Sequence, residues 1–213
     1  MDENRLPKGR RTLLGAPPPE AASGRELILA SASSTRRELL AALGLPFRTV
    51  RPDFVETRPP SLAPADLAET LALGKASTVG KRFPEALVLG ADQVLVIQGE
   101  IAEKPADEAA ARAQLTRLRG KAHVLITGVA LVVGSHVLRV EHEATRLTLR
   151  DFTDEELSRY LATGEWKGCL GSYRVEGQGL KLFSRIEGDL FNARGLPLLR
   201  VVNALHELGF PLF

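Results

Sequence analysis

The side chains of this chain best suited to chemistry are acidic and basic groups scattered along its length. Asp92 follows Gly90-Ala91 at the end of a short apolar run. A carboxylate at the end of a buried strand lies where open α/β sheets place ligands. Burying it unpaired is costly, so it asks for a metal, a cation or several N–H donors, unless it only shapes a turn. Lys75 continues the stripe Leu67, Leu71 at four-residue steps, so its ammonium either enters a site or snorkels from an apolar face. Lys104 precedes Pro105 and reads as either a phosphate ligand or a solvated loop lysine. Ser31-Ala32-Ser33-Ser34 joins an apolar run to a helical pattern. Free N–H groups and the helix dipole there suit an anion, and the hydroxyls of Ser31 and Ser33 add donors. Arg36 and Arg37 oppose that dipole, which makes sense with an anion between them; an ordinary serine cap is the alternative. Glu56, in the following loop, offers a second hard oxygen ligand. Together these residues fit a polyphosphate site with a divalent cation, although the GxxxxGK[ST] phosphate loop is absent.

The elements that must position them alternate. Leu27–Ala30 reads as a buried strand and Thr35–Leu43 as a helix with a capping box from Thr35 to Glu38, stopped by Gly44. Phe47–Arg51 reads as a strand and Pro52–Pro60 as a loop; Pro64 opens a helix to about Val79. Ala86–Leu89 is a further buried strand, and Val94–Ile97 continues extended to a Gln98-Gly99 turn. Asp107 caps a helix to Leu118. His123–Val133 and Val137–Leu149 predict a hairpin turning at Gly134. Thr153 to Glu156 is a second capping box, glycine-rich loops span Gly164–Gly188, and Leu196–Leu208 predicts a closing helix. The expected class is α/β, of mixed α+β character. Residues 1–24, with Pro17-Pro18-Pro19 and several cations, read as a disordered extension or a basic docking arm; the folded domain spans 25–213.

Composition narrows the function. The chain has 213 residues, 44% hydrophobic and 25% charged, with a net charge of +2 and no long basic run. That disfavours a nucleic-acid polymer as partner, as does an aromatic content of 5%. The single cysteine, Cys169, excludes an internal disulfide and reads as a packing residue. No apolar run approaches the roughly 20 residues of a membrane span, and no signal-like segment opens the chain, so a soluble cytoplasmic protein is expected.

Leu29-Ala30-Ser31-Ala32-Ser33 with Arg36-Arg37-Glu38-Leu39-Leu40 resembles the opening motif of the Maf-type nucleoside triphosphate pyrophosphatases. Glu56-Thr57, Lys75-Ala76, Gly90-Ala91-Asp92-Gln93, Lys104-Pro105, Thr127-Gly128, Glu187-Gly188-Asp189 and Gly195-Leu196-Pro197-Leu198 follow in the same order. The resemblance implies a two-lobed sandwich, like that of inosine triphosphatases, with a central cleft. It implies hydrolysis of a nucleoside triphosphate to the monophosphate and pyrophosphate, with Mg²⁺ or Mn²⁺ as cofactor, in a cytoplasmic protein that is often a homodimer. Carried over by position, Asp92 matches the family's catalytic Asp, as general base or metal ligand; Arg36, Lys75 and Lys104 complete the catalytic set, and Glu56 with Asp92 would hold the metal. Ser31, Ser33, Thr35, Gln93 and Glu176 would bind substrate. Glu103 stands where the family commonly has Gly. Thr35, Gln93 and Glu176 resemble the 7-methyl-GTP branch, and a carboxylate near a cationic 7-methylguanine ring agrees with that. The alternatives are a dTTP/UTP pyrophosphatase of the same family and a non-catalytic nucleotide-binding regulator of septum formation.

Overall fold

In the computed structural model, residues 9–11 and 21–213 are described, and side chains from residue 21 onward. Alternation of branched apolar residues builds the centre of the fold. Strand β2 (Leu27–Ala30) buries Leu27 and Leu29 toward one face of a sheet and Ile28 and Ala30 toward the other. Ser33 caps helix α1 (Ser34–Ala41), its hydroxyl accepting from Arg36 N–H. The capping box expected from Thr35 to Glu38 does not form, because Ser33 holds the extended conformation that a cap requires. Gly44, at φ +70°, ends that turn before strand β3 (Phe47–Val50). Helix α2 (Pro64–Arg82) follows, three residues longer than expected.

One prediction about the sheet needs correction. Leu87–Ile97 is a single strand, β4, so Asp92 sits mid-strand and not at a strand end. Its ladder continues because strand β6 (Ala122–Val133) pairs along almost all of it, placing Asp92 opposite Gly128 and Gln93 opposite Thr127. Gln98 and Gly99, both at positive φ, turn the chain into strand β5 (Glu100–Ala102), and Asp107 caps helix α3 (Glu108–Leu118). β6 returns as β7 (His136–Leu149), with helix α4 (Asp154–Leu161) behind its predicted capping box. Two short 3₁₀ turns (Leu170–Ser172 and Gln178–Leu182) lead to strand β8 (Phe183–Glu187) and helices α5 (Leu190–Ala193) and α6 (Leu198–Glu207).

The eight-stranded sheet includes the edge strand β1 (Gly9–Arg11) and runs β1-β7-β6-β4-β2-β3, with β5 on β4 and β8 on β7. β3, β2 and β4 are parallel; β4, β6, β7 and β1 are antiparallel, which makes the sheet mixed as expected. Of the segment read as a disordered extension, residues 1–8 and 12–20 lie outside the described residues. Ala21–Gly24 form a turn that buries Ala22.

The core divides in two. α1 and α6 cover one face of β2 and the first half of β4, and the small-residue face of α2 covers the other. The second halves of β4 and β7 and the first half of β6 pack with α3, α4, Trp166 and Tyr173. Between these two bodies opens the cleft. Among the described residues, no helix is long and apolar enough to cross a membrane.

Candidate active site

Helix α2 can deliver Lys75 because its backbone lies close against the sheet, with nothing larger than an alanine methyl between. A Cβ on Gly90 would stand 2.3 Å from the Ala72 carbonyl oxygen, and one on Gly128 would stand 2.2 Å from that of Ala68. Ala68, Ala72 and Ala76 keep the helix face small. Lys75 therefore reaches the carboxylates: its Nζ donates to Asp92 Oδ1 and lies 2.6 Å from Glu56 Oε1. Of the two readings open for Lys75, the ammonium does not snorkel outward but meets two carboxylates at the cleft.

Asp92 is buried, and its Oδ2 accepts no hydrogen bond from the protein. Glu56 also pairs with Arg58 at 3.0 Å, and Arg58 faces Glu103 at 3.6 Å. Burial would raise the Glu56 carboxyl, but hydrogen bonds from Lys75 and Arg58 and their charges outweigh it and hold it below its ordinary value. Burial pulls the Arg36 guanidinium below its ordinary value, while Asp92 and Glu56 act the other way. Arg36 Nε donates to the Gly195 carbonyl at 2.8 Å, tying the first helix to the loop before α6.

These groups line one cleft of about 410 Å³, within the size range of small-ligand sites. Ser33, Thr35, Arg36, Glu56, Lys75, Asp92, Gln93, Lys104 and Glu176 all border it. Ser31 does not: it is buried, and its hydroxyl accepts from Ser33 N–H at 3.1 Å, so it shapes the turn below the cleft floor. Gln93 has its amide nitrogen engaged by the protein: it donates to Asn192 O at 2.8 Å and Thr127 Oγ1 at 3.0 Å, which leaves Oε1 for a ligand.

The far wall is the loop that carries Arg174 and Glu176. Three elements pin it. Ser172 Oγ donates to Gln114 Oε1 of α3 at 2.6 Å, and Tyr160 Oη of α4 accepts from Arg174 N–H at 3.1 Å. Tyr173 Oη lies 2.5 Å from His123 Nε2 of β6. Burial lowers His123 to about 4, so that contact is made by a neutral imidazole. Cys169 also borders the cleft; burial raises its thiol, and Sγ donates to Glu165 O, which keeps it a neutral wall residue. Sequence reasoning did not single out Arg58, Arg174 or Arg194, all of which border the cleft. Arg58, two residues beyond Glu56, carried a usable signal; Arg194, in the turn after four-residue α5, carried none.

Two carboxylates meeting at one ammonium, with one Asp92 oxygen bare, suit a hard divalent cation that takes its remaining ligands from phosphate oxygens and water. Among the described residues no three His, Cys, Asp or Glu side chains cluster as a metal cage, so such an ion would depend on the substrate for ligands.

The family described as Maf-like protein matches residues 26–208. A dTTP/UTP pyrophosphatase of Symbiobacterium thermophilum is 43% identical over 89% of this chain and 97% of its own length. One from Moorella thermoacetica is 44% identical over 86% and 95%. A 7-methyl-GTP pyrophosphatase of Chromohalobacter salexigens is 40% identical over 86% and 96%.

Proposed function

Because this chain belongs to the Maf-like protein family, we propose that it hydrolyses a nucleoside triphosphate to the monophosphate and pyrophosphate. The observation that carries the reading is the meeting of Asp92, Glu56 and Lys75 at one point of a cleft also bordered by Arg36, Arg58 and Lys104. A regulator that only binds nucleotide has no use for a bare buried carboxylate oxygen beside an ammonium.

In the proposed reaction water attacks the α-phosphorus, the bond to the oxygen bridging the α- and β-phosphorus breaks, and pyrophosphate leaves. With Oδ1 held by Lys75, Asp92 uses Oδ2 to orient the water and take its proton. Arg36, Lys75 and Lys104 offset the charge on the phosphoryl oxygens, and the Ser33 turn presents N–H groups to one of them. Glu56 and Asp92 would hold Mg²⁺ or Mn²⁺, whose charge polarises the phosphate oxygens. Metal ligation and proton transfer compete for Asp92, since a metal-bound carboxylate is a poorer base. A cytoplasmic setting, where free triphosphates are held, fits this reading.

The proposed base is 7-methylguanine. Thr35 and Glu176 both border the cleft, and Glu176 can accept the N–H donors of a guanine edge. The second reading, dTTP or UTP, is favoured by the names of the Symbiobacterium and Moorella relatives. Pyrophosphate release from UTP, dTTP, GTP and 7-methyl-GTP with Mg²⁺ decides among them. The expected outcome is the highest kcat/KM for 7-methyl-GTP. Preference for a pyrimidine triphosphate would reverse the base assignment, and turnover of none would leave the regulator.

A further inference from the structure

Glu176 was expected to act as an anionic spot for a cationic ring, but it does not stand alone. Its Oε1 lies 3.7 Å from Arg174 Nε, and its Oε2 lies 3.9 Å from Arg194 Nε. Each oxygen thus faces a different guanidinium. Both separations exceed hydrogen-bonding distance, so the two cations compensate the charge of Glu176 without occupying its lone pairs. The carboxylate is partly buried, with 29% of its side chain exposed. Arg194 Nε is buried and donates to no protein acceptor, so that N–H is not spent on an internal hydrogen bond. Arg194 leads into Gly195, whose carbonyl Arg36 holds, and Arg174 sits in the pinned loop, so neither guanidinium is on a free strand of chain.

We infer that Arg194 is a specificity-determining residue: with Arg174 it cancels the charge of Glu176 while leaving its oxygens open, so the pocket selects a base by its N–H donors and not by its ring charge. The inference rests on the proposed triphosphate reading and deepens it. A guanine edge offers N–H donors at N1 and at the exocyclic amine, one for each Glu176 oxygen, whether or not N7 is methylated. Uracil and thymine offer one. A lone carboxylate would attract the cationic 7-methylguanine ring over neutral guanine; two flanking guanidiniums lower that Coulombic preference. The protein should then discriminate by donor count strongly and by methylation weakly.

The test compares kcat/KM for 7-methyl-GTP, GTP and UTP, and the affinities of 7-methyl-GMP and GMP by calorimetry, in wild type, Arg194→Leu, Arg194→Lys and Glu176→Gln. The wild-type preference for 7-methyl-GTP over GTP is expected to stay within about tenfold, the effect of about 1.4 kcal/mol. Arg194→Leu should raise that preference severalfold, in both turnover and monophosphate affinity. Arg194→Lys, which keeps the charge, should retain the wild-type ratio, and Glu176→Gln should weaken both guanine nucleotides relative to UTP. An Arg194→Leu protein with wild-type ratios overturns the role of Arg194, as does one that loses all substrates equally. Absence of pyrophosphate from wild type, with the affinity ratio still shifting in Arg194→Leu, would instead remove the catalytic reading and leave this one standing.

Discussion

Asp92 has one oxygen committed to Lys75 and one bare, and that asymmetry decides what its substitution should do. Asp92→Asn keeps the shape and an acceptor for Lys75 but cannot take a proton. It should lower kcat by about a hundred- to ten-thousand-fold, with little change in melting temperature. Turnover within tenfold of wild type would remove Asp92 from the chemistry. His123 makes a second prediction at this scale. The imidazole protonates near 6.5 when exposed but near 4 in the folded protein because burial disfavours its charged form. Between those values the unfolded chain binds more protons than the folded one. Its contribution to stability is therefore complete above 6.5 and is lost as pH falls toward 4, amounting to about 3 kcal/mol. Urea unfolding at about pH 7.5 and pH 4.5 should show His123→Phe losing less stability on acidification than wild type. Equal losses would place the acid sensitivity elsewhere.

At the scale of elements, the approach of α2 to the sheet makes Gly90 the position to change. A Cβ there meets Ala72 O at 2.3 Å and Ala76 N at 2.8 Å, backbone atoms that cannot swing aside. Gly90→Ala should push α2 outward, cost about 1–3 kcal/mol and draw Lys75 from Asp92, lowering kcat as well. If stability falls and kcat does not, the helix position is uncoupled from catalysis. The elements were largely readable in advance, and the misreadings have causes. Leu27–Ala30 announces itself as an unbroken apolar run, and the hairpin by its β-rich flanks and the turn residues Gly134-Ser135. Asp92 looked like a strand end because its own polarity interrupts the apolar run; only the pairing with β6, distant in sequence, shows that the strand continues. Lys75 was legible as an oddity on an apolar stripe, but its direction depended on two glycines in other elements. Arg194 could not be found, since its meaning comes from a carboxylate eighteen residues earlier brought alongside by the fold.

For the whole molecule, the distribution of charge matters more than its total of +2. Cations gather around one cleft from α1, α2, the loop after β3 and the turn after α5, each tied to a carboxylate or carbonyl before any phosphate arrives. β4, β6 and β7 are 11, 12 and 14 residues long and pass beneath both halves of the core without a break in the chain. Hydrogen–deuterium exchange should accordingly show nucleotide protecting the loop around Glu56 and the segment 168–176, while β4 exchanges slowly throughout. Fast exchange of β4 in the free protein, slowed by nucleotide, would contradict this. The same unbroken strands act as a fixed gauge. A molecule whose jaws share one continuous spine cannot close down on a shorter guest, so the span between phosphorus and ring is dictated by the frame. Diphosphates, one phosphate short of the span, should therefore be turned over poorly whatever base they carry, while a monophosphate still seats its base.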